Sequence, residues 1–537
     1  MKRNIILGLA LLMTLSLLFA CGTTTPSQTT AGSTTQQQTT EALTTQADAT
    51  TTAANQAETT NEATEQIAEG LEEVVITWVV PGNYPMADQD EVFAEFNRLV
   101  KEQINTTVDF LALGWGDFET KISVMIGSGD YYDLTYTCDW VNFFPSNAAK
   151  GAYYDITELL PQYAPKTYAK FPETYWEAVK IKNRIYAVIN EQVAVRTAYL
   201  VIPEENLEET GYDIDKDFIK GDLRSLEPFL DKYFENDPSR LNNHYFFGAF
   251  GPVDYEYIAG GNIPVGINCM TGDTTVVNIV ELPEFVERYS IAAEWKDKGY
   301  MNPTLRITQP ILGPAEDYLS GRIMGMIGGQ YMPGCDVQEA PKYGRPVRAV
   351  PFYEPFLTTG SATATCTAVS ITSKNPDRAL MLLELLNNMP EGQMHNKIYD
   401  TLSFGIEGKH WNYDNDGLLE RTEAGEERYF LNTEWMWASR FQSTPLTGSS
   451  PTVWDECREF NKISITSPLM GFVFDAEPVE AETAAVSAVN SEYSAALGVG
   501  MFDMKVYEEI KEKYKVAGID TIIAEAQKQI DEWKASR

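Results

Sequence analysis

Between residues 74 and 137, the chain alternates apolar runs of strand length with segments whose apolar residues recur at helical spacing. The predicted strands are Val74 to Val80, Asn105 to Leu113 and Asp133 to Thr137. One helix is predicted between each pair of strands, and Asp88 is the expected N-cap of the first helix. Short connections in the order βαβαβ predict a doubly wound, mainly parallel sheet.

The loops after these strands are the first candidate site, because ligands of such sheets bind beyond the carboxyl ends of the strands. The loops carry Tyr84, Trp115 and the neighbours Asp139 and Trp140. Trp115 stands between two glycines in a predicted loop, where a large ring would be accessible.

A second α/β stretch follows from about residue 197 to residue 365. It contains a predicted strand, Ile323 to Gly328, with Tyr331 just beyond its carboxyl end. The C-terminus is predicted to be a pair of helices broken at Ala517 to Asp520. Residues 74–537 are too many for one ordinary core, which predicts two lobes.

The N-terminus has the pattern of a secretory signal. Lys2 and Arg3 precede an apolar run that ends at Ala20, and Cys21 follows it. The pattern resembles a bacterial lipobox, which predicts a signal peptide over residues 1–20, a lipid on Cys21 and retention on the outer face of the membrane. An uncleaved anchor and a plain secretory signal are the alternatives. Residues 21–73 are poor in apolar residues and rich in Thr and Gln, which predicts a disordered tether.

The net charge limits the possible ligands, and the cysteine spacing predicts the state of the thiols. A net charge of -36 argues against binding to nucleic acid or anionic lipid, since both need a basic face, and leaves neutral or cationic ligands open. The five thiols after Cys21 form no CxxC pair, so buried free thiols are expected, with a single disulfide as the alternative.

Several segments together resemble the extracellular solute-binding proteins of ABC importers, and more narrowly a Gram-positive lipoprotein subgroup associated with oligosaccharides. The segments that carry this resemblance are Lys121 to Tyr136, Asn183 to Val188, Tyr199 to Tyr212, Glu294 to Pro303, Leu319 to Met324, Tyr399 to Trp411, Gly471 to Asp475 and Ala517 to Asp520. They span nearly the whole mature chain.

The resemblance implies a class II periplasmic-binding-protein-like α/β fold with two doubly wound lobes joined by a hinge, followed by C-terminal helices. It places lobe one at 74–195 and 366–420, and lobe two at 196–365 and 421–537. It further implies a monomer that captures an oligosaccharide between its lobes without a cofactor and delivers it to the permease subunits of an ABC importer.

Candidate ligand residues follow from the chemistry of sugars, whose ring faces stack on aromatic rings and whose hydroxyls bind acids and amides. The candidates are Tyr84, Trp115, Asp139, Trp140, Glu191, Gln192, Tyr331, Trp435 and Trp437. The alternative for each aromatic residue is packing in a turn or in the core. Trp435 and Trp437 are equally compatible with two core tryptophans.

Other functions have weaker signals in the sequence. A peptide or polyamine receptor is the alternative among binding proteins, and a surface-anchored glycosidase is the enzyme alternative, although no local signature singles out a carboxylate pair. Asn412, Asp414, Asp416, Gly417 and Glu423 have the spacing of an EF-hand calcium loop. Asp416 and Gly417 also form a common hairpin turn, which is the favoured interpretation.

Overall fold

The computed structural model describes residues 70–301, 315–390, 393 and 395–537. The predicted signal peptide, Cys21 and residues 22–69 of the tether lie outside the described residues. None of the described helices is both long enough and apolar enough to cross a membrane.

Short strands are distributed over most of the described chain. The strands are β1 Val74–Gly82, β2 Thr106–Gly114, β3 Leu134–Thr137, β4 Lys180–Ile181, β5 Arg184–Ile185, β6 Val188–Ile189, β7 Tyr199–Pro203, β8 Tyr245–Gly248, β9 Tyr255–Tyr257, β10 Val265–Asn268, β11 Val277–Asn278, β12 Ile323–Gly328, β13 Val347–Pro351, β14 Phe356–Leu357, β15 Cys366–Val369, β16 Trp411–Tyr413, β17 Leu419–Arg421 and β18 Ile465–Thr466.

Helices connect these strands and dominate the C-terminus. The helices are α1 Gln89–Ile104, α2 Trp115–Ser128, α3 Phe144–Ala149, α4 Leu160–Tyr163, α5 Pro165–Lys170, α6 Glu173–Glu177, α7 Glu204–Thr210, α8 Glu227–Asn236, α9 Pro283–Asp297, α10 Ala315–Leu319, α11 Cys335–Tyr343, α12 Thr359–Ala362, α13 Pro376–Asn387, α14 Lys397–Phe404, α15 Glu423–Glu427, α16 Val453–Lys462, α17 Glu480–Leu497, α18 Met504–Ala517 and α19 Ile519–Ala535.

The first sheet contains five strands in the order β2-β1-β3-β15-β6. Strand β1 pairs in parallel with β2 and with β3, which confirms the doubly wound arrangement predicted for this region. The register places Gly82 opposite Gly114, so the first two strands end together and the loops after them share one edge of the sheet. Strand β15 returns antiparallel to β3 and β6.

One local prediction in this region is wrong, and a second is confirmed only in part. Trp115 begins helix α2 and does not lie in a loop, because the chain turns into the helix directly after β2. Asp88 occupies the predicted N-cap position of α1, but its side chain makes no capping hydrogen bond. Its carboxylate instead binds three other partners, the side chains of Arg428, Lys409 and His410.

The second sheet contains four strands in the order β13-β7-β12-β8. Strand β7 lies antiparallel to both of its neighbours. Its side chains alternate between two cores: Tyr199 and Val201 belong to the large core that also fills the first lobe, whereas Leu200 and Ile202 belong to a separate core. One face of the second sheet is therefore continuous with the core of the first lobe.

A third core holds the C-terminal helices against the small sheet of β9, β10 and β11. Val265 and Ile267 of this sheet are buried in the same cluster as Ile522 and Ile530 of α19. The predicted break between the last two helices is confirmed at Gly518, whose φ of +94° a residue with a side chain rarely adopts.

The lobe boundaries remain a prediction, and one segment assigned to lobe two contacts the first sheet. Arg428 pairs with Asp88, and the ring of Trp437 packs edge-on against Trp78 of β1 at 5.4 Å. The five cysteines at positions 138, 269, 335, 366 and 457 are buried free thiols, as expected.

Candidate ligand-binding cleft

A cavity of about 1370 Å³ lies between side chains of the first sheet's loops and side chains of the second lobe. Asp139, Trp140, Phe143 and Lys150 line it from the first lobe. The opposite side is lined by the stretches 248–261 and 472–480 and by aromatic residues near 352–356. The volume exceeds the 300 to 1,000 Å³, roughly, of pockets for drug-sized ligands, so the cavity has room for a larger molecule.

Trp140 presents the largest exposed aromatic surface in the cavity. Its side chain is 53 % exposed, and its Nε1 donates a hydrogen bond to the carbonyl oxygen of Ala364 at 2.9 Å. The ring lies 5.6 Å from Trp115 and 6.1 Å from Trp435, measured between centroids. Tyr136 lies 6.1 Å from the same ring, so the indole is fixed by one hydrogen bond and three aromatic neighbours while much of its surface remains free.

Trp115 and Trp435 support this ring and do not line the cavity. Their rings stack on each other with centroids 6.1 Å apart and an interplanar angle of 14°. Trp435 also packs edge-on against the buried Tyr136 of β3. The pair therefore forms an aromatic layer that joins Trp140 to the core of the first lobe.

Asp139 supplies a polar group beside this aromatic surface. Its Oδ1 is buried and has no hydrogen-bond partner among the described residues. Burial raises the pKa of the Asp139 carboxyl, and the nearby charge of Arg196 partly opposes this rise. The carboxylate approaches Gly360 so closely that a Cβ at this position would lie 3.0 Å from Oδ2. Asp139 therefore lines the cavity with acceptor capacity that no described residue uses.

The turn that carries Asp139 and Trp140 is held by backbone and side-chain contacts. Asn142 adopts a φ of +47°, and its Nδ2 donates to the carbonyl oxygen of Tyr136 at 2.7 Å. Phe144 begins α3, is buried and stacks on Tyr153 with centroids 6.1 Å apart. These contacts fix the direction in which the chain leaves β3.

The second lobe contributes tyrosines and acids that the sequence reasoning missed. Tyr255, Glu256 and Tyr257 of β9 line the cavity, and Tyr353 lines it with its ring stacked on Phe356 at 5.9 Å. The signal that could have found them is the run Asp254 to Tyr257, in which aromatic residues alternate with acids. Burial raises the pKa of Glu256 to about 7, and the hydroxyl of Ser467 donates to this carboxyl group.

Glu191 and Gln192 lie in the segment that crosses between the lobes and do not line the cavity. Glu191 is buried and pairs with Lys170 at 3.0 Å, and it accepts a hydrogen bond from Ser439. Gln192 donates from Nε2 to Thr365 Oγ1 at 2.9 Å. Their polar atoms tie the crossing segments together.

Tyr84, Tyr331 and Trp437 also lie outside the cavity lining. The Tyr84 hydroxyl is buried without a hydrogen-bond partner among the described residues, and burial raises its pKa. Tyr331 packs against Phe460 with centroids 5.2 Å apart, and burial raises its pKa to about 12. Trp437 is almost fully buried in the core. A ligand-binding role for the nine candidate residues stays a prediction, and Asp139 and Trp140 are the two that line the cavity.

The stretch with calcium-loop spacing forms the favoured structure, a β-hairpin of β16 and β17. Asp414 Oδ1 accepts hydrogen bonds from the backbone N–H groups of Asp416 and Leu418, and Oδ2 accepts one from Thr447. Within the described residues, no three His, Cys, Asp or Glu side chains are grouped so that they could hold a metal ion.

Comparison with known proteins gives two family matches. Residues 87–188 match the model for bacterial extracellular solute-binding proteins. Residues 468–535 match a domain of unknown function, DUF3502.

Sequence comparison also finds a relative that matches most of the chain. A carbohydrate ABC transporter substrate-binding protein of Streptococcus pneumoniae serotype 4 is 27 % identical over 504 residues, which cover 88 % of this chain and 93 % of that protein.

Among solved structures, the N-glycan transport solute binding protein NgtS of S. pneumoniae has a TM-score of 0.73 at 23 % identity, covering 86 % of this chain and 99 % of that one. Its complex with Man5GlcNAc has a TM-score of 0.61 at 23 % identity, covering 87 % and 99 %. An extracellular solute-binding protein from Bifidobacterium longum subsp. infantis has a TM-score of 0.57 at 14 % identity, covering 86 % and 98 %.

The structural likeness extends over the described lobes and confirms the predicted class II fold. The family model over residues 87–188, the sequence relative and the fold all point to extracellular solute-binding proteins.

Proposed function

We propose that the protein captures an oligosaccharide between its two lobes and delivers it to an ABC importer. The observation that carries this proposal is the composition of the cavity. Exposed rings face it from both lobes, Trp140 and Phe143 on one side and Tyr257 on the other, and Asp139 offers an unpaired oxygen beside them.

The chemistry of this lining suits a sugar better than a lipid or a flat aromatic ligand. Aromatic rings stack on the weakly apolar C–H faces of a pyranose, and carboxylates accept hydrogen bonds from its hydroxyls. A lining that alternates rings with acids, as in Tyr255, Glu256 and Tyr257, offers both kinds of contact within one strand. The relative described as a carbohydrate ABC transporter substrate-binding protein, and the N-glycan transport protein with the same fold, support this substrate class.

Capture requires binding without a chemical step. A ligand that contacts both walls binds the closed arrangement more tightly than the open one, so it shifts the population toward closure. The crossing segments at 190–197 and 356–365, which are joined by hydrogen bonds such as Arg196 N–H to the Phe356 carbonyl, would serve as the hinge. The closed form would then dock on the permease subunits as a monomer.

We further propose that a lipid on Cys21 retains the protein on the outer face of the membrane. The apolar run before Cys21 and the Thr- and Gln-rich stretch after it support this location. A long polar tether would let the folded lobes sample the space above the bilayer.

A second candidate ligand class is a polyamine, because three exposed carboxylates also line the cavity. They are Asp475, Glu477 and Glu480. Lys150 and Arg196 line the same cavity and reduce its preference for a cation.

A thermal-shift screen with the mature protein tests the proposal, because a bound ligand stabilises the folded state by mass action. The panel contains N-glycan fragments, linear neutral oligosaccharides, short peptides and spermidine. We expect the melting temperature to rise with at least one oligosaccharide and to stay unchanged with peptides. A rise with spermidine alone would favour the polyamine receptor. Chromatography after long incubation should return the sugar intact, whereas cleavage would indicate a glycosidase that uses carboxyls such as Asp139 and Glu256.

A further inference from the structure

The C-terminal segment 468–535, which matches a domain without an assigned function, forms one wall of the cavity. Phe472 and Phe474 line the cavity before α17, and Asn490 and Tyr514 line it from α17 and α18. The segment therefore contributes directly to the candidate binding site.

This wall is anchored from both sides. The side chain of Gln529 in α19 accepts a hydrogen bond from the backbone N–H of Asp475 and donates one to its carbonyl oxygen, both at 2.9 Å. Thr359 of α12 accepts from the N–H of Gly471 at 2.8 Å and donates to the carbonyl oxygen of Leu469 at 3.1 Å. The chain around residues 469–475 is thus held between the last helix and the crossing segment.

The anchored wall carries three carboxylates that have no cationic partner. Asp475, Glu477 and Glu480 are exposed, line the cavity and form no ion pair with any described residue. Carboxylates elsewhere on the same helices do form such pairs, as Glu492 does with Lys513 at 2.6 Å. Other acids of the segment are also unpaired, so what distinguishes these three is that they line the cavity.

An unpaired cation lines the same cavity from the first lobe. Lys150 follows α3, is exposed and forms no ion pair within the described part of the chain. Its backbone N–H donates to the carbonyl oxygen of Ser146 at 3.0 Å, and α3 is fixed by the buried Phe144. The two walls thus present complementary charges to each other.

We propose that the segment 468–535 acts as the closing jaw of the cleft and that Lys150 pairs with its carboxylates when the lobes close. This proposal rests on the proposed capture of a ligand between the lobes. Complementary charges attract across a narrowing gap, so they favour the closed form while leaving the open form accessible. An exposed ion pair stabilises only weakly, which suits a contact that must break when the ligand is released.

The test combines affinity and cross-linking on the mature protein. Calorimetry measures the affinity for an oligosaccharide that stabilises the protein in the screen, at low and high NaCl. We expect Lys150→Glu to weaken binding about threefold to tenfold at low salt, and Lys150→Glu combined with Glu480→Lys to recover part of this loss. High salt should weaken binding by the unaltered protein and strengthen binding by Lys150→Glu, because screening removes attraction in one and repulsion in the other.

Two matched variants control for net charge. Lys121→Glu alters an exposed lysine of the first lobe, and Glu512→Lys alters an exposed acid of α18; neither residue lines the cavity or forms an ion pair with a described residue. Both should keep the affinity and its salt dependence. Equal effects of Lys150→Glu and Lys121→Glu would overturn the proposal.

Cross-linking separates this proposal from the question of the ligand. A zero-length carbodiimide reagent joins a lysine to a carboxylate in contact with it, and peptide mass spectrometry locates the link. We expect a link between Lys150 and the peptide that contains residues 475–480, more abundant when sugar is bound. If no carbohydrate binds but the link forms, the proposed function is wrong, whereas the proposed contact between Lys150 and segment 468–535 is supported. If sugar binds and the link is absent, the jaw is overturned.

Discussion

The two walls of the cleft are built differently. The first wall is a turn at the end of a parallel strand, where Trp140 and Asp139 stand on an aromatic layer that reaches the core. The second wall combines a short edge strand with the start of a C-terminal helix and presents phenol rings and free carboxylates. From this difference we expect the first wall to supply most of the binding energy and the second wall to adjust closure and selectivity.

The largest expected effect of a single change is on Trp140. Trp140→Ala removes the exposed stacking surface, so we expect a loss of about 2–3 kcal/mol in binding free energy, the range of an aromatic hot spot. Calorimetry with the sugar found in the screen measures this loss. Trp140→Phe should recover part of it, because a smaller ring still stacks. A melting temperature close to that of the unaltered protein would show that the loss comes from the missing contact. An unchanged affinity in Trp140→Ala would contradict the inference that the first wall supplies most of the binding energy.

The first wall could be predicted from the sequence because it depends on local order. The apolar runs around Val79 and Leu134 predict parallel strands, and a residue that directly follows such a strand must lie at its carboxyl edge. The supporting role of Trp115 could not be predicted, because a tryptophan between two glycines is typical of a loop. The residue that stacks on its ring, Trp435, also lies far away in the sequence.

The second wall could not be predicted from local patterns, because distant segments assemble it. Glu256 meets Ser467, which is 211 residues away in the chain. The acids at 475–480 line the cavity on a stretch of chain that hydrogen bonds to Gln529 and Thr359 help to hold in place. Periodicity predicts that α18 and α19 are helices, but it does not indicate which end of the molecule they cover.

The second wall also contains a carboxyl group whose titration should affect the stability of the protein. Burial raises the pKa of Glu256 to about 7, above its ordinary value of 4.5, so this carboxyl favours the folded state only while it is protonated. Its contribution is complete below pH 4.5 and is lost as the pH rises to about 7. The unfolding free energy of the unaltered protein should therefore fall between pH 4.5 and pH 8. In Glu256→Gln this fall should be smaller by about 2 kcal/mol.

Urea unfolding of both proteins at the two pH values measures this difference. Glu509→Gln is the control, since Glu509 is exposed on α18 and its pKa is lowered by the Tyr493 hydroxyl. An identical pH dependence in Glu256→Gln and the unaltered protein would contradict the assignment. If Glu256→Gln is more stable than the unaltered protein at pH 8, the second wall contains an acid that costs stability. The first wall, in contrast, consists mainly of aromatic rings.

A smaller effect is expected from the one acid of the first wall. Burial raises the pKa of Asp139, so the ionised carboxylate destabilises the ligand-free protein at neutral pH. Asp139→Asn should therefore raise the melting temperature at pH 8, and this gain should shrink as the pH falls. The same change should weaken sugar binding by about 1 kcal/mol, since an amide accepts hydrogen bonds less strongly than a carboxylate. A higher melting temperature together with a weaker affinity would show that Asp139 contributes to binding at a cost in stability. A loss of both would instead indicate a structural role.

The smallest expected effect tests the second wall directly. Tyr257 is 37 % exposed in the cavity, and Tyr257→Ala should weaken sugar binding by about 0.5–1 kcal/mol, less than the change at Trp140. Tyr131, which is 40 % exposed on the first lobe and does not line the cavity, provides the matched control, and Tyr131→Ala should leave the affinity unchanged. If Tyr257→Ala costs as much as Trp140→Ala, both walls contribute equally and the ligand is held symmetrically. If it costs less and the loss differs between sugars, the phenol ring selects among ligands whose binding energy comes mainly from the indole.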